Sequence, residues 1–174
     1  MAHHPSSIYG RSVDPPPTSL SGAHVMSRFI DGLAFRYYWA TEGLRDDDYA
    51  FRPAADSMSL LEVMQHIGDL SLMIRQAVRN ETYRAAPLLE EPEPVRDQTL
   101  ETLRGIRDHL LETSDEALTE HRVLKRDGKD WPIWHIMNGP ITDALTHVGQ
   151  IVSWRRINGN PMAKVNVFLG RPPR

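Results

Sequence analysis

Of the side chains able to grip a metal ion or move a proton, three fall into one pattern: His66, and the pair Asp143 and His147 four residues apart. A spacing of four puts two side chains on one helix face, a turn apart. At 100° per residue, His147 shares its sector with Ile136, Pro140, Asp143, Ala144, Ile151 and Trp154. Thr142, Thr146, Gly149, Ser153 and Arg156 point the other way. An aspartate is thus expected inside an apolar sector, where an ionised carboxylate must find a proton, a donor or a cation. His66 shares its own sector with Val63, Leu70, Met73 and Ala77. If the two helices are neighbours, two imidazoles and one carboxylate converge. That donor set suits a divalent ion, with zinc, nickel, manganese and iron all admissible, and it leaves positions for water or substrate. A plainer reading stays open: His66 as a satisfied core histidine, and Asp143–His147 as a hydrogen-bonded pair that fixes helix register.

Other polar residues give weaker patterns. Glu62 lies one turn from His66 and could serve as a fourth ligand or general base, although a capping role already accounts for it. Gln150 can orient a ligand or bond backbone. Arg52, Arg155 and Arg156 can anchor an anionic substrate or simply face solvent. His24, His109, His121 and His135 form no constellation, and His3 and His4 read as solvated.

The elements that must carry these residues follow from hydrophobic periodicity. Over about residues 21–44, Val25, Phe29, Leu33, Tyr37, Ala40 and Leu44 recur at spacings of three or four, with Met26, Ile30 and Trp39 widening the stripe. Asp46, Asp47, Asp48 and Pro53 then end the helix in what reads as a solvated loop. Ser59-Leu60-Leu61-Glu62 has the form of a capping box, starting a second helix that fades near Asn80. Pro87, Pro92 and Pro94 among glutamates mark a long acidic connection. A third helix is expected over about 97–118. A turn or short hairpin is expected around Asp127-Gly128, and a last helix over 132–157 that Pro140 kinks or restarts. The expectation is an all-α four-helix bundle with a long crossover connection over 21–161, a flexible leader over 1–20 and a tail over 162–174.

Composition narrows the function classes. With 20 lysines plus arginines against 23 acidic residues, the net charge is −3 and no basic patch stands out, so nucleic acid is not an expected partner. The absence of cysteine excludes disulfides, Cys-type zinc knuckles and a cysteine nucleophile, so any thiol chemistry must borrow its sulfur. No apolar run approaches the roughly 20 residues a bilayer span requires, and no signal-peptide core is visible; a cytoplasmic protein with no membrane partner is expected. The aromatics Tyr37, Tyr38 and Trp39 could offer an apolar flank to a homodimer.

Phe51-Arg52-Pro53, the run Ser59 to His66, and above all Asp143-Ala144-Leu145-Thr146-His147-Val148-Gly149-Gln150 with the trailing Arg155-Arg156-Ile157-Asn158-Gly159 carry a likeness. On these motifs residues 24–161 resemble the DinB/YfiT-like superfamily of small bacterial metal-binding four-helix bundles. The resemblance implies a metal held by one histidine of the second helix and two of the last, which fall by position on His66, Asp143 and His147. Asp143 departs from the pattern, because a histidine is common there. Members include thiol-dependent transferases and isomerases that use a low-molecular-weight thiol, and hydrolases. The expected function is therefore a metal-dependent hydrolase or thiol transferase acting on a small electrophilic substrate. The alternative is a non-catalytic ligand-binding or structural bundle with a metal site or a buried Asp–His pair.

Overall fold

In the computed structural model, residues 9–124 and 128–173 are described. The chain is mostly helical. Four long helices, α1 (Gly22–Thr41), α3 (Leu60–Val78), α4 (Pro92–Glu112) and α6 (Thr142–Ile157), carry the core, with two short ones, α2 (Asp46–Tyr49) and α5 (Asp115–Glu120), between them. α1 packs on α4 and α6, and α3 packs on the same two helices from the other side. Ile30, Leu33, Phe35, Tyr37, Met64, Ile67, Ile74, Leu103, Ile106 and Ile151 are fully buried where these faces meet. No described helix is long and apolar enough to cross a membrane.

The α3 start is the expected capping box: Glu62 N–H donates to Ser59 Oγ at 3.2 Å, and Ser59 N–H donates to Glu62 Oε2 at 2.6 Å. Other boundaries differ from expectation. α4 begins at Pro92 because proline, which lacks a donor, is well placed in a first helical turn. It stops at Glu112, where Ser114 caps a new helix and turns Asp115 toward α1. The Asp115 carboxylate accepts from Gly22 N–H and Ala23 N–H at 2.9 Å each, so α5 caps the open start of α1. The expected hairpin forms as β1 (Arg122–Leu124) paired antiparallel with β2 (Asp130–Pro132); residues 125–127 of its turn lie outside the described residues. The last helix does not run from 132. A wide turn over Met137–Ile141 contains Pro140 and the non-helical Gly139, and the regular helix restarts at Thr142.

Two expectations about the first helix are corrected. Val25 and Phe29 lie on its outer face, 36% and 46% exposed, while Ala23, Met26 and Ile30 face inward. Tyr37, Tyr38 and Trp39 are buried in the core and offer no apolar flank. The aspartate run is not a solvated loop either. Asp48 is fully buried, accepting from Arg45 N–H (2.8 Å), the Arg45 guanidinium (3.0 Å), Asn158 Nδ2 (2.8 Å) and Asn160 Nδ2 (2.6 Å).

The segment from Tyr9 to Asp14, expected as part of an unordered leader, lies along α1. Tyr9 Oη donates to Asp31 Oδ1 at 2.8 Å, and Trp39 Nε1 donates to the Arg11 carbonyl at 3.1 Å. Gly10 adopts φ +90° so close to α1 that a Cβ would sit 2.6 Å from the Ala34 carbonyl oxygen, an approach only glycine permits. Residues 1–8 lie outside the described residues.

Candidate metal centre

Two helix faces determine the site. The α3 capping box sets where the helix starts, and His66 follows one turn after Glu62. The wide turn at Pro140 re-aims the chain so that α6 presents Asp143 in its first turn and His147 one turn later. Buried Ala144, Val148 and Ile151 hold that helix against α1 and α3.

The far end of α6 is anchored by Arg155, which is 2% exposed. Its guanidinium donates to the carbonyls of Ala40 (2.9 Å), Glu42 (2.9 Å) and Asn160 (2.7 Å), with longer bonds to Trp39 and Gly43. These are largely the orphan carbonyls at the α1 C-terminus, where partial negative charge accumulates. Arg155 is therefore a helix cap, not an anchor for substrate. Arg52 is also engaged, pairing with Glu62 at 2.8 Å. Arg156 points outward.

His66, Asp143 and His147 come together, each offering one ligand atom within 4.8 Å of the others. Asp143 Oδ2 is 3.4 Å from His66 Nε2, and Asp143 Oδ1 is 3.4 Å from His147 Nε2. The two imidazoles meet nearly at right angles, 84° apart, with centroids separated by 4.6 Å. Metal–nitrogen and metal–oxygen bonds of about 2.0–2.2 Å give donor–donor edges of roughly 3.3–3.5 Å in a tetrahedral site, and each carboxylate oxygen of Asp143 stands at about that distance from one imidazole. An N–H···O hydrogen bond is shorter, about 2.9 Å. The three groups could hold a divalent ion.

Asp143 is not buried as its helical sector implied. Its side chain is 48% exposed, against 32% for His66 and 16% for His147. The sector argument assumed that the apolar stripe is covered along its whole length. At the first turn of α6 it is not, and Asp143 stands on the rim of a solvent-facing notch between α3 and α6. The need to compensate a buried carboxylate therefore falls away; convergence of the three groups remains.

Gln150 supplies the orienting contact. His147 Nδ1 lies 2.8 Å from Gln150 Oε1. An amide oxygen only accepts, so Nδ1 is the donor in this contact and Nε2 is the ring nitrogen directed at Asp143. Gly149, between them, faces open space among the described residues, so nothing steric requires glycine there. Glu62 is occupied elsewhere: the Ser59 N–H bond, then Arg52, hold its carboxyl down to about 2. It lies outside the cluster of converging donors. His135 is exposed and His109 Nε2 donates to the Val78 carbonyl at 3.0 Å, both apart from the site.

Sequence reasoning missed the partners beside the triad. A cleft of about 490 Å³ opens from His66 along α3 and α4, lined by Asp69, Arg75, Gln98, Thr99 and Thr102 among others. The spacing of three through His66, Asp69, Leu72 and Arg75 was the available signal, since it marks a ridge winding around a helix.

Comparison with known proteins agrees with this architecture. Among curated proteins none is significantly similar to the chain. A DinB-like protein of Bacillus subtilis, YjoA, superposes with a TM-score of 0.60 at 15% identity, covering 83% of this chain and 99% of that one. The fold is thereby shared, and a family model of the DinB superfamily matches residues 35–151, a span that includes His66, Asp143 and His147. The chain belongs to the DinB superfamily.

Proposed function

We propose that the protein is a metal-dependent enzyme, a hydrolase or thiol transferase, with a divalent ion held by His66, Asp143 and His147. The observation that carries this reading is the 3.4 Å spacing of Asp143 from both imidazoles on a solvent-facing rim. A divalent ion bound there would lower the pKa of water or of an incoming low-molecular-weight thiol and polarise a small electrophilic substrate. The chain contributes the rest. Gln150 orients His147, the exposed side of Asp143 admits solvent and small molecules, and a cleft adjoins His66. With no cysteine in the chain, a thiol would come from outside.

The arrangement we infer around the site is a four-helix bundle of α1, α3, α4 and α6, with residues 79–91 as the crossover connection; the pairwise packing of these helices supports it. A cytoplasmic location and a small-molecule substrate as partner belong to the same proposal. Two histidines and one carboxylate leave a 2+ ion with net +1 charge, which admits zinc, nickel, manganese or iron.

The test is elemental analysis of protein purified without chelator, followed by substrate screening with esters and with electrophiles plus a thiol. The expected result is about one divalent ion per chain, lost in His147→Ala, with turnover that follows metal content. Metal-free protein that remains equally stable and takes up no added ion would contradict the reading. Stoichiometric metal without turnover would favour a non-catalytic metal-binding bundle.

A further inference from the structure

The cleft beside His66 has a direction. It follows the ridge His66, Asp69, Leu72 and Arg75 on α3 and is closed on its other walls by residues 85–89 of the connection and by Val95, Gln98, Thr99 and Thr102 of α4. α3 and α4 approach closely here because residue 68 is glycine: a Cβ would sit 3.1 Å from Thr99 Oγ1. Nine residues at 1.5 Å rise and 100° each separate the ends of the ridge by about 13 Å along the axis and about half a turn around it.

The charges in this cleft are unequally satisfied. Glu62, at the His66 end, is paired with Arg52 at 2.8 Å. Asp69 accepts from the Tyr83 hydroxyl at 2.6 Å. Arg75 is different. Its Nε is buried without a hydrogen-bond partner, and among the described residues no carboxylate lies within ion-pairing distance of its guanidinium. The buried Nε is closed to the cleft, but Arg75 lines it with no described carboxylate paired to its charge, and an anion in the cleft would supply a charge-assisted bond that water replaces only in part. Gln98, Thr99 and Thr102 add polar groups across the cleft.

We propose that this cleft is the substrate-binding channel and that it selects a small organic carboxylate, with its anionic end at Arg75 and its reacting group at His66. Asp69 sits between the two ends, so the negative charge of the ligand is placed at Arg75 and not in mid-channel. The assignment of the reacting end rests on the proposed metal function; the carboxylate anchor at Arg75 does not.

The experiment uses chelator-treated protein and a matched pair of probes, 4-phenylbutyrate and its neutral amide, titrated by calorimetry and by amide chemical-shift mapping. The acid is expected to bind about tenfold or more tighter than the amide, the scale of one charge-assisted hydrogen bond. Arg75→Gln abolishes that preference and Arg75→Lys retains part of it. Shifts cluster at Gly68, Thr99 and Thr102. Zinc is titrated separately into the same proteins and its affinity is unchanged by either Arg75 variant. Equal affinity for acid and amide in the wild type, a preference that survives in Arg75→Gln, or shifts clustered away from the cleft would overturn the proposal. Acid preference without zinc uptake would contradict the metal function and leave the anchor standing; zinc uptake without acid preference would do the reverse.

Discussion

At Gln150 one hydrogen bond decides which nitrogen of His147 faces the site. Removing it leaves the imidazole free to rotate and to shift its proton, so Gln150→Ala is expected to weaken zinc binding about 10- to 100-fold by calorimetry. Unchanged affinity would show that packing alone orients the ring. Asp48 gives the second residue-level test. Burial by itself would raise its carboxyl, but the Arg45 side chain and backbone, Asn160 and Asn158 outweigh burial and hold it well below the usual carboxylate range. A depressed folded-state pKa contributes stability in full above the unfolded value of about 3.9, and that contribution is lost as pH falls toward the folded value. Denaturant titrations should therefore show wild type well above Asp48→Asn at pH 7, with the gap narrowing steadily below about pH 4. A pH-independent gap would mean that the carboxylate's charge is not what Arg45, Asn158 and Asn160 recognise.

Among the elements, α6 is positioned from both ends, by the wide turn at Pro140 and by Arg155 on the α1 carbonyls. A lysine at 155 keeps the charge but cannot fork to several carbonyls, so Arg155→Lys should cost about 3 kcal/mol and lower the thermal midpoint by roughly 5–10 °C. A midpoint within a degree of wild type would refute the capping role. The elements also show what was legible in the sequence. The start of α3 was, because a capping box closes within four residues and needs no tertiary partner. So was the convergence of His66, Asp143 and His147, since helical spacing and a family resemblance both pointed there. The first helix was found but its face was misread, because Val25 and Phe29 continue the stripe in sequence while no described helix packs over them. The break between α4 and α5 was hidden, since it exists to bring Asp115 onto another helix. Arg155 and Asp48 were misassigned because part of their bonding reaches more than a hundred residues along the chain, from Arg155 to Ala40 and from Asp48 to Asn158.

On the scale of the whole molecule, the described part of the N-terminal segment is tied to α1 and α4 and to the C-terminal segment. Val13 N–H donates to the Gly170 carbonyl at 2.9 Å, and Tyr9, Arg11 and Asp14 reach α1 and α4 through Asp31, Trp39, Arg28 and Arg107. These contacts brace the outer side of α1, while α3, α4 and α6 shape the notch and its cleft on another side. The notch exists only because residues 77 positions apart are brought side by side by the packing of α3 on α6. An anomalous-difference map from crystals grown with zinc tests that convergence most directly. The account predicts one peak per chain within about 2.0–2.2 Å of His66 Nε2, His147 Nε2 and an Asp143 carboxylate oxygen. A peak elsewhere, or none at this notch with zinc in excess, would contradict it.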